Sequence, residues 1–202
     1  MRVAILDGTL QAGEWVNVDD VADWLGISRA PISEAVDDLI EWRLISDRTA
    51  TQARIAQPGL DDRTAILQTL GALVGGVVRV SVGGLSERGQ HDLLALLDHT
   101  VATVRAADTD GHSRAIWGLV DRFMRNCPNP VLVAETRNII EGLIYRVKAA
   151  SRAGVIDWAA DASSYGGLRA AVAERDAIAA ELAIERIFGL PASGSNSPQR
   201  RD

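Results

Sequence analysis

Val18-Asp-Asp-Val-Ala-Asp-Trp-Leu-Gly-Ile-Ser-Arg-Ala-Pro-Ile-Ser-Glu-Ala-Val-Asp-Asp-Leu-Ile-Glu41 is the stretch whose reading decides the fold. Val18, Val21, Ala22 and Leu25 make one apolar stripe at helical spacing, and Gly26 follows where that helix must stop. Ser28 is placed to cap a second helix, with Pro31 in its first turn, where a missing N–H costs little. Ile32, Ala35, Val36 and Leu39 form the inward face of the second helix, and small Ala22 lets the two helices cross closely. Helix, sharp turn, helix is the predicted unit. It presents Ser28, Arg29, Ala30, Pro31 and Ser33 at the exposed start of the second helix. In helix-turn-helix proteins that end enters the major groove, where an arginine can donate two hydrogen bonds to guanine.

Leu44 to Ile55 is β-branched and polar and reads as two wing strands, with Arg48 a further candidate for DNA contact. Gln57-Pro-Gly-Leu-Asp-Asp62 reads as a linker ending in a helix cap. Beyond it the pattern is helical almost throughout. Ser86 is a candidate cap for a helix through Leu93, Leu94, Leu97, Val101 and Val104. Ile139, Ile140, Leu143, Ile144 and Val147 form another stripe. A last long helix runs through Leu168, Ala171, Val172, Ile178, Ala179 and Leu182, with Arg175 its one polar break. Gly71, Gly75 and Gly76 either weaken an earlier helix or mark close helix approach. The fold expected is mostly α: a winged helix-turn-helix over 1–57, a linker over 58–62, an all-helical antiparallel bundle over 63–191 and a disordered tail over 192–202.

The sequence resembles the GntR family of bacterial regulators. The family's Ile-x-x-Gly-x-Leu-x-x-Gly pattern is met by Ile5-Leu-Asp-Gly-Thr-Leu-Gln-Ala-Gly13, and its Gly-Val-Ser-Arg-Thr-Pro-Val-Arg-Glu-Ala-Leu signature by Gly26-Ile-Ser-Arg-Ala-Pro-Ile-Ser-Glu-Ala-Val36. There are departures. Ser33 stands for a second recognition-helix arginine, Asp19 for a frequent basic residue, and the wing tip Thr49-Ala-Thr-Gln52 lacks its usual glycines. Met1 falls where the family is already in mid-helix. Ten acids against five arginines leave residues 1–57 with a net charge of −5.

Residues from about 62 to 190 resemble the all-helical effector domain of the FadR-like branch. Ile116-Trp-Gly-Leu-Val-Asp-Arg-Phe-Met-Arg-Asn-Cys-Pro-Asn-Pro-Val-Leu132 and Tyr165-Gly-Gly-Leu-Arg-Ala-Ala-Val-Ala-Glu-Arg-Asp176 carry that likeness. Many members hold a divalent metal with one Asp and three His. The resemblance places those slots at Ile116, Val120, Tyr165 and Ile187, which are poor or impossible ligands. No metal and no other cofactor is therefore expected. His91 and His99 lie too far apart on one helix to chelate together, and His91, His99 and His112 read as solvent-facing. Trp117 and Tyr165 are candidate effector contacts, although aromatics at helical spacing are core residues more often. Trp15, Trp24, Trp42 and Trp158 take that same core reading. Arg122, Arg125, Arg137 and Arg146 fit a solvated face better than an anion site.

Composition bounds the rest. Apolar residues make up 47% of the 202, the net charge is −6, and Lys148 is the only lysine. The acidic balance argues against indiscriminate nucleic-acid binding. No stretch approaches the ~20 uncharged apolar residues of a membrane span, and no signal peptide is evident. Lone Cys127 reads as a small apolar residue near a helix end. Without paired carboxylates, a nucleophile triad or a phosphate loop, no enzyme is expected. The expectation is a cytoplasmic regulator that binds double-stranded operator DNA as a homodimer, with a small-molecule effector left open and no membrane partner. The alternative is a degenerate family member whose helical domain is a protein-interaction module.

Overall fold

The computed structural model describes residues 1–57, 59, 62–150 and 158–191. They run in the order α1 (Arg2–Leu6), β1 (Trp15–Asn17), α2 (Val18–Leu25), α3 (Arg29–Glu41), β2 (Ile45–Arg48), β3 (Gln52–Ile55), α4 (Asp62–Val82), α5 (Glu87–Arg105), α6 (Thr109–Asn126), α7 (Pro130–Ala150), α8 (Trp158–Glu174) and α9 (Ala177–Ile187). The mostly helical architecture with a small winged sheet matches the expected fold class. The chain divides into two compact units. One comprises residues 1–66 with α7 from Arg137 onward, and the other residues 67–136 with α8 and α9.

In the first unit, Asn17 caps α2 by accepting from the Asp19 amide at 2.9 Å. Asp19 and Asp20 then sit in the first turn, where the helix dipole favours negative charge. Gly26 ends α2 in the left-handed region at φ 65°, as a side-chain-free residue should. Ser28 is extended at the start of α3, although its hydroxyl makes no capping bond. Ile32, Val36 and Leu39 are buried as the stripe requires, whereas Leu25 is half exposed.

The two predicted wing strands form, and β1 adds a third, giving the order β1-β3-β2, antiparallel throughout. At three residues with one buried side chain, β1 carries too little alternation to be read from sequence. Val16, Val36, Leu44, Ile45 and Ile55 pack into the core of this unit, and Tyr145 of α7 joins them. The Tyr145 hydroxyl donates to the Ala56 carbonyl at 3.0 Å, and burial pushes its pKa up. Gly142, one turn earlier, lies so close to the backbone of Trp42 that a β-carbon would stand 2.5 Å from the Trp42 carbonyl oxygen.

Arg43 links α3 to β2 at φ 55°, a region costly for any residue with a β-carbon. Arg43→Gly is expected to stabilise the protein by about 0.5–1 kcal/mol, read as a higher urea midpoint.

In the second unit, Leu70, Val74, Val77, Val78 and Val82 of α4 are fully buried. By length and composition α4 is long and apolar enough to cross a membrane, but half of that stretch is buried inside the protein. It does not meet the stricter criterion of about 20 uncharged apolar residues, because Arg63 and Arg79 bound the uncharged run. Gly71 and Gly75 do mark close approach, toward Phe188, Leu190 and Glu185, while Gly76 faces open space. Ser86 caps α5 as expected, accepting from the Gly89 amide at 3.0 Å.

The single last helix read from the sequence is two. Arg175 takes a left-handed conformation at φ 59°, and Asp176 caps α9 by accepting from the amides of Ile178 and Ala179 at 3.1 and 2.9 Å. The α5–α6 junction repeats the device. Ala107 lies at φ 52°, and Asp108 accepts from the Gly111 amide at 2.9 Å. A continuous apolar stripe hides such a break, because the register resumes on the far side. Pro58, Leu60 and Asp61 of the linker and the tail over 192–202 lie outside the described residues.

Candidate nucleic-acid interface

Ser28, Arg29, Ala30 and Pro31 are exposed at the start of α3, and Ser33 is half-buried one turn on. Arg29 forms an ion pair with Asp19 of α2, Nε to Oδ1 at 3.3 Å, and its guanidinium also donates to the Ala50 carbonyl at the wing tip. Arg48 of β2 donates to the Ser33 hydroxyl and forms an ion pair with Asp37 of α3. The hairpin fold thus brings Arg29, Ser33 and Arg48 to one face.

The glycine-less wing closes through Thr49. Its amide donates to the Gln52 carbonyl at 2.8 Å, and its hydroxyl accepts from the Gln52 amide at 3.0 Å. A side-chain turn of this kind does the work that glycines do elsewhere. Asp37 carries no sequence signal as an arginine partner, because nothing in helical or strand spacing links it to Arg48.

Two further cations of residues 1–57, Arg2 and Arg54, are engaged in the same manner. Arg2 pairs with Glu141 and lies 4.8 Å from the Trp42 ring centroid. Arg54 donates to the Gly13 carbonyl at 3.3 Å, stands 3.9 Å from Asp47 and lies over Trp15 at 5.8 Å. Four of the five arginines therefore have an acidic partner.

The tryptophans correct the core reading. Trp15 and Trp42 are exposed, with arginines laid on them, which a polar-rimmed small domain permits. Trp24 is 83% exposed, beside Leu25 at 48% and Ile27 at 45%, so the α2–α3 turn carries an apolar patch. The side chain of Trp158 lies outside the described residues.

In the second unit, His91 and His99 are exposed, but His112 is not simply solvent-facing. Its Nε2 lies 2.9 Å from the hydroxyl of fully buried Tyr165, with the rings edge to face. Ile116 and Val120 follow His112 at successive turns of α6 and are buried. The ligand slots that the resemblance implies thus do not fit a metal ion. Ile116 and Val120 are aliphatic side chains in the core, half-buried Ile187 is aliphatic as well, and the Tyr165 phenol is already matched to an imidazole. Among the described residues, no group of three or more His, Cys, Asp or Glu stands together as a metal cluster. Purified protein is expected to carry no tightly bound Zn²⁺, Mn²⁺ or Ni²⁺, since a buried divalent ion there would have its charge uncompensated. Elemental analysis approaching one metal per chain would overturn this.

Trp117 packs against Phe188, ring centroids 6.4 Å apart. Neither Trp117 nor Tyr165 lines the open cleft of about 730 Å³ between α5 and α8, whose walls include Asp98, Val101, Arg105, Ala162, Gly166 and Arg169. Arg169 grips Asp98 through two hydrogen bonds of 2.5 and 3.2 Å and holds that carboxyl below its ordinary range. Arg122 pairs with Asp92 and Arg125 with Asp121, both at 2.7 Å, as solvated faces do. Cys127 ends α6, near a helix end as expected.

A winged helix-turn-helix followed by a helical domain is the class these two units define. Solved structures share it. E. coli McbR/YncC is 18% identical over 93% of this chain and 89% of its own, with a TM-score of 0.65. A protein described as a GntR transcriptional regulator, from Rhodococcus sp. RHA1, has the same identity and coverages and a TM-score of 0.66. A structure of Lar, described as controlling expression of the Listeria monocytogenes agr system, is 16% identical over 93% and 88%, with a TM-score of 0.55. At such identities the likeness establishes the fold. No protein-family model and no curated protein sequence matches the chain.

Proposed function

We propose that this protein is a cytoplasmic, GntR-type transcription regulator that binds double-stranded operator DNA in a sequence-specific manner as a homodimer. One observation carries the reading: the exposed, proline-bearing start of α3 shares a face with the wing, so that Arg29, Ser33 and Arg48 converge where a duplex would dock. The common fold with a Rhodococcus structure described as a GntR transcriptional regulator supports it. One recognition helix reads only a few base pairs, so a two-fold dimer on a pseudo-palindrome supplies the rest, with the helical unit as the dimerising part.

A small-molecule effector would act in the second unit. Tyr165 is fully buried against His112 and Trp117 packs on Phe188, whereas the α5–α8 cleft is open without rearrangement. No catalytic role, metal or cofactor is assigned.

The test is selection of bound fragments from random DNA by the full chain, followed by sedimentation of the complex. An enriched inverted repeat carrying two protomers per duplex is expected. Absence of any enriched sequence would remove the regulator reading. A second reading, a protein-interaction module with weak DNA binding, then takes its place. The exposed Trp24, Leu25 and Ile27 patch favours it, because contiguous exposed apolar surface marks contact sites.

A further inference from the structure

Two carboxylates hold the two arginines that the proposed function assigns to DNA. Asp19 pairs with Arg29, and Asp37 with Arg48, which also reaches Ser33. The same arginines clasp the wing to α3: Arg29 joins the helix start to the Ala50 carbonyl at the wing tip, and Arg48 joins β2 to the middle of the helix. All of these side chains are at least partly exposed, so a duplex can reach them and compete.

We propose that Asp19 and Asp37 are specificity-determining residues of the DNA interface. They occupy Arg29 and Arg48 until the correct base edges displace them. This rests on the DNA-binding reading above. DNA of the wrong sequence offers mainly phosphates, so an arginine leaving its carboxylate exchanges one anion for another and leaves a bare carboxylate facing the duplex. The correct site adds two hydrogen bonds to a guanine edge and tips the exchange toward DNA. Discrimination then comes from a charge placed against the wrong partner as well as from contacts to the right one. Exposed ion pairs contribute little to stability, so losing a carboxylate leaves the fold intact.

The experiment compares the full-length chain with Asp19→Asn, Asp37→Asn and Asp38→Asn on a selected and a scrambled duplex. Asp38 is exposed on the same helix and makes no ion pair with a described residue, so it controls for net charge alone. Asp19→Asn and Asp37→Asn are each expected to tighten binding to scrambled DNA by roughly three- to ten-fold, with less gain on selected DNA, while Asp38→Asn gives less than about twofold. The proposal is overturned if Asp38→Asn matches Asp37→Asn, or if the two clasp variants leave scrambled binding unchanged or weaken it. If all four proteins keep their helical circular dichroism and bind neither duplex at low salt, the DNA-binding reading itself fails.

Discussion

Replacing Gly142 with valine is expected to destabilise the protein by about 3 kcal/mol, the larger end of the cost of forcing atoms into packed space. A β-carbon at Gly142 would stand 2.5 Å from the Trp42 carbonyl oxygen and 3.6 Å from its carbon. The obstacle is backbone, so no side chain can swing aside. Either α7 must lift from the end of α3, pulling Tyr145 from the Ala56 carbonyl, or the α3–β2 connection must move. Helix propensity alone argues the other way, since alanine is favoured over glycine by about 1 kcal/mol in a helix interior. Gly118 of α6 supplies the control. It is exposed and has nothing within 4 Å of a built β-carbon, so Gly118→Ala should raise the urea midpoint where Gly142→Ala lowers it. Equal shifts at the two positions would show that α7 does not approach Trp42 as described.

Arg29→Ala is expected to cost on the order of 1–3 kcal/mol at the cognate site and to flatten the preference at one base pair. Arg29 is the only charged donor between Ser28 and Ser33, at the helix end that would face the groove. Its guanidinium is held by Asp19 of α2 and the Ala50 carbonyl at the wing tip, so the cost of Arg29→Ala is net of releasing the arginine from those partners. Few phosphates should be neutralised by a segment of net charge −5 whose cations are largely paired. The salt dependence of binding should then be shallow, at roughly 0.9 log–log units per phosphate contacted. Affinity against salt, for wild type and Arg29→Ala on selected and scrambled DNA, measures both effects. If Arg29→Ala binds both DNAs as wild type does, the base contact lies elsewhere, with Arg48 next in line.

Local chemistry written in adjacent residues was legible. The α2–turn–α3 unit, with its apolar stripe, Gly26 and Pro31, has each feature within one or two turns of the next, so spacing specifies it. The Ser86 cap of α5 and the two wing strands were legible for the same reason. Breaks that preserve helical register were not. Arg175 and Asp176 divide what reads as one helix, because a left-handed residue followed by a capping aspartate leaves the apolar period almost undisturbed.

By itself, then, the sequence determined the mostly helical class, the α2–turn–α3 unit and its exposed arginine, since these depend on periodicity and caps. Tertiary structure alone decided what those residues touch. It paired Arg29 with Asp19 and Arg48 with Asp37, laid Arg2 and Arg54 on tryptophans read as core, set Gly142 against Trp42, and placed Tyr145 in the core of the first unit. It also turned His112 from a surface histidine into the partner of a buried phenol. The physical reason is common to all of them. Each contact joins residues with no periodic relation in the chain, so it exists only after the backbone has closed, and it then sets the charge and packing that the site presents.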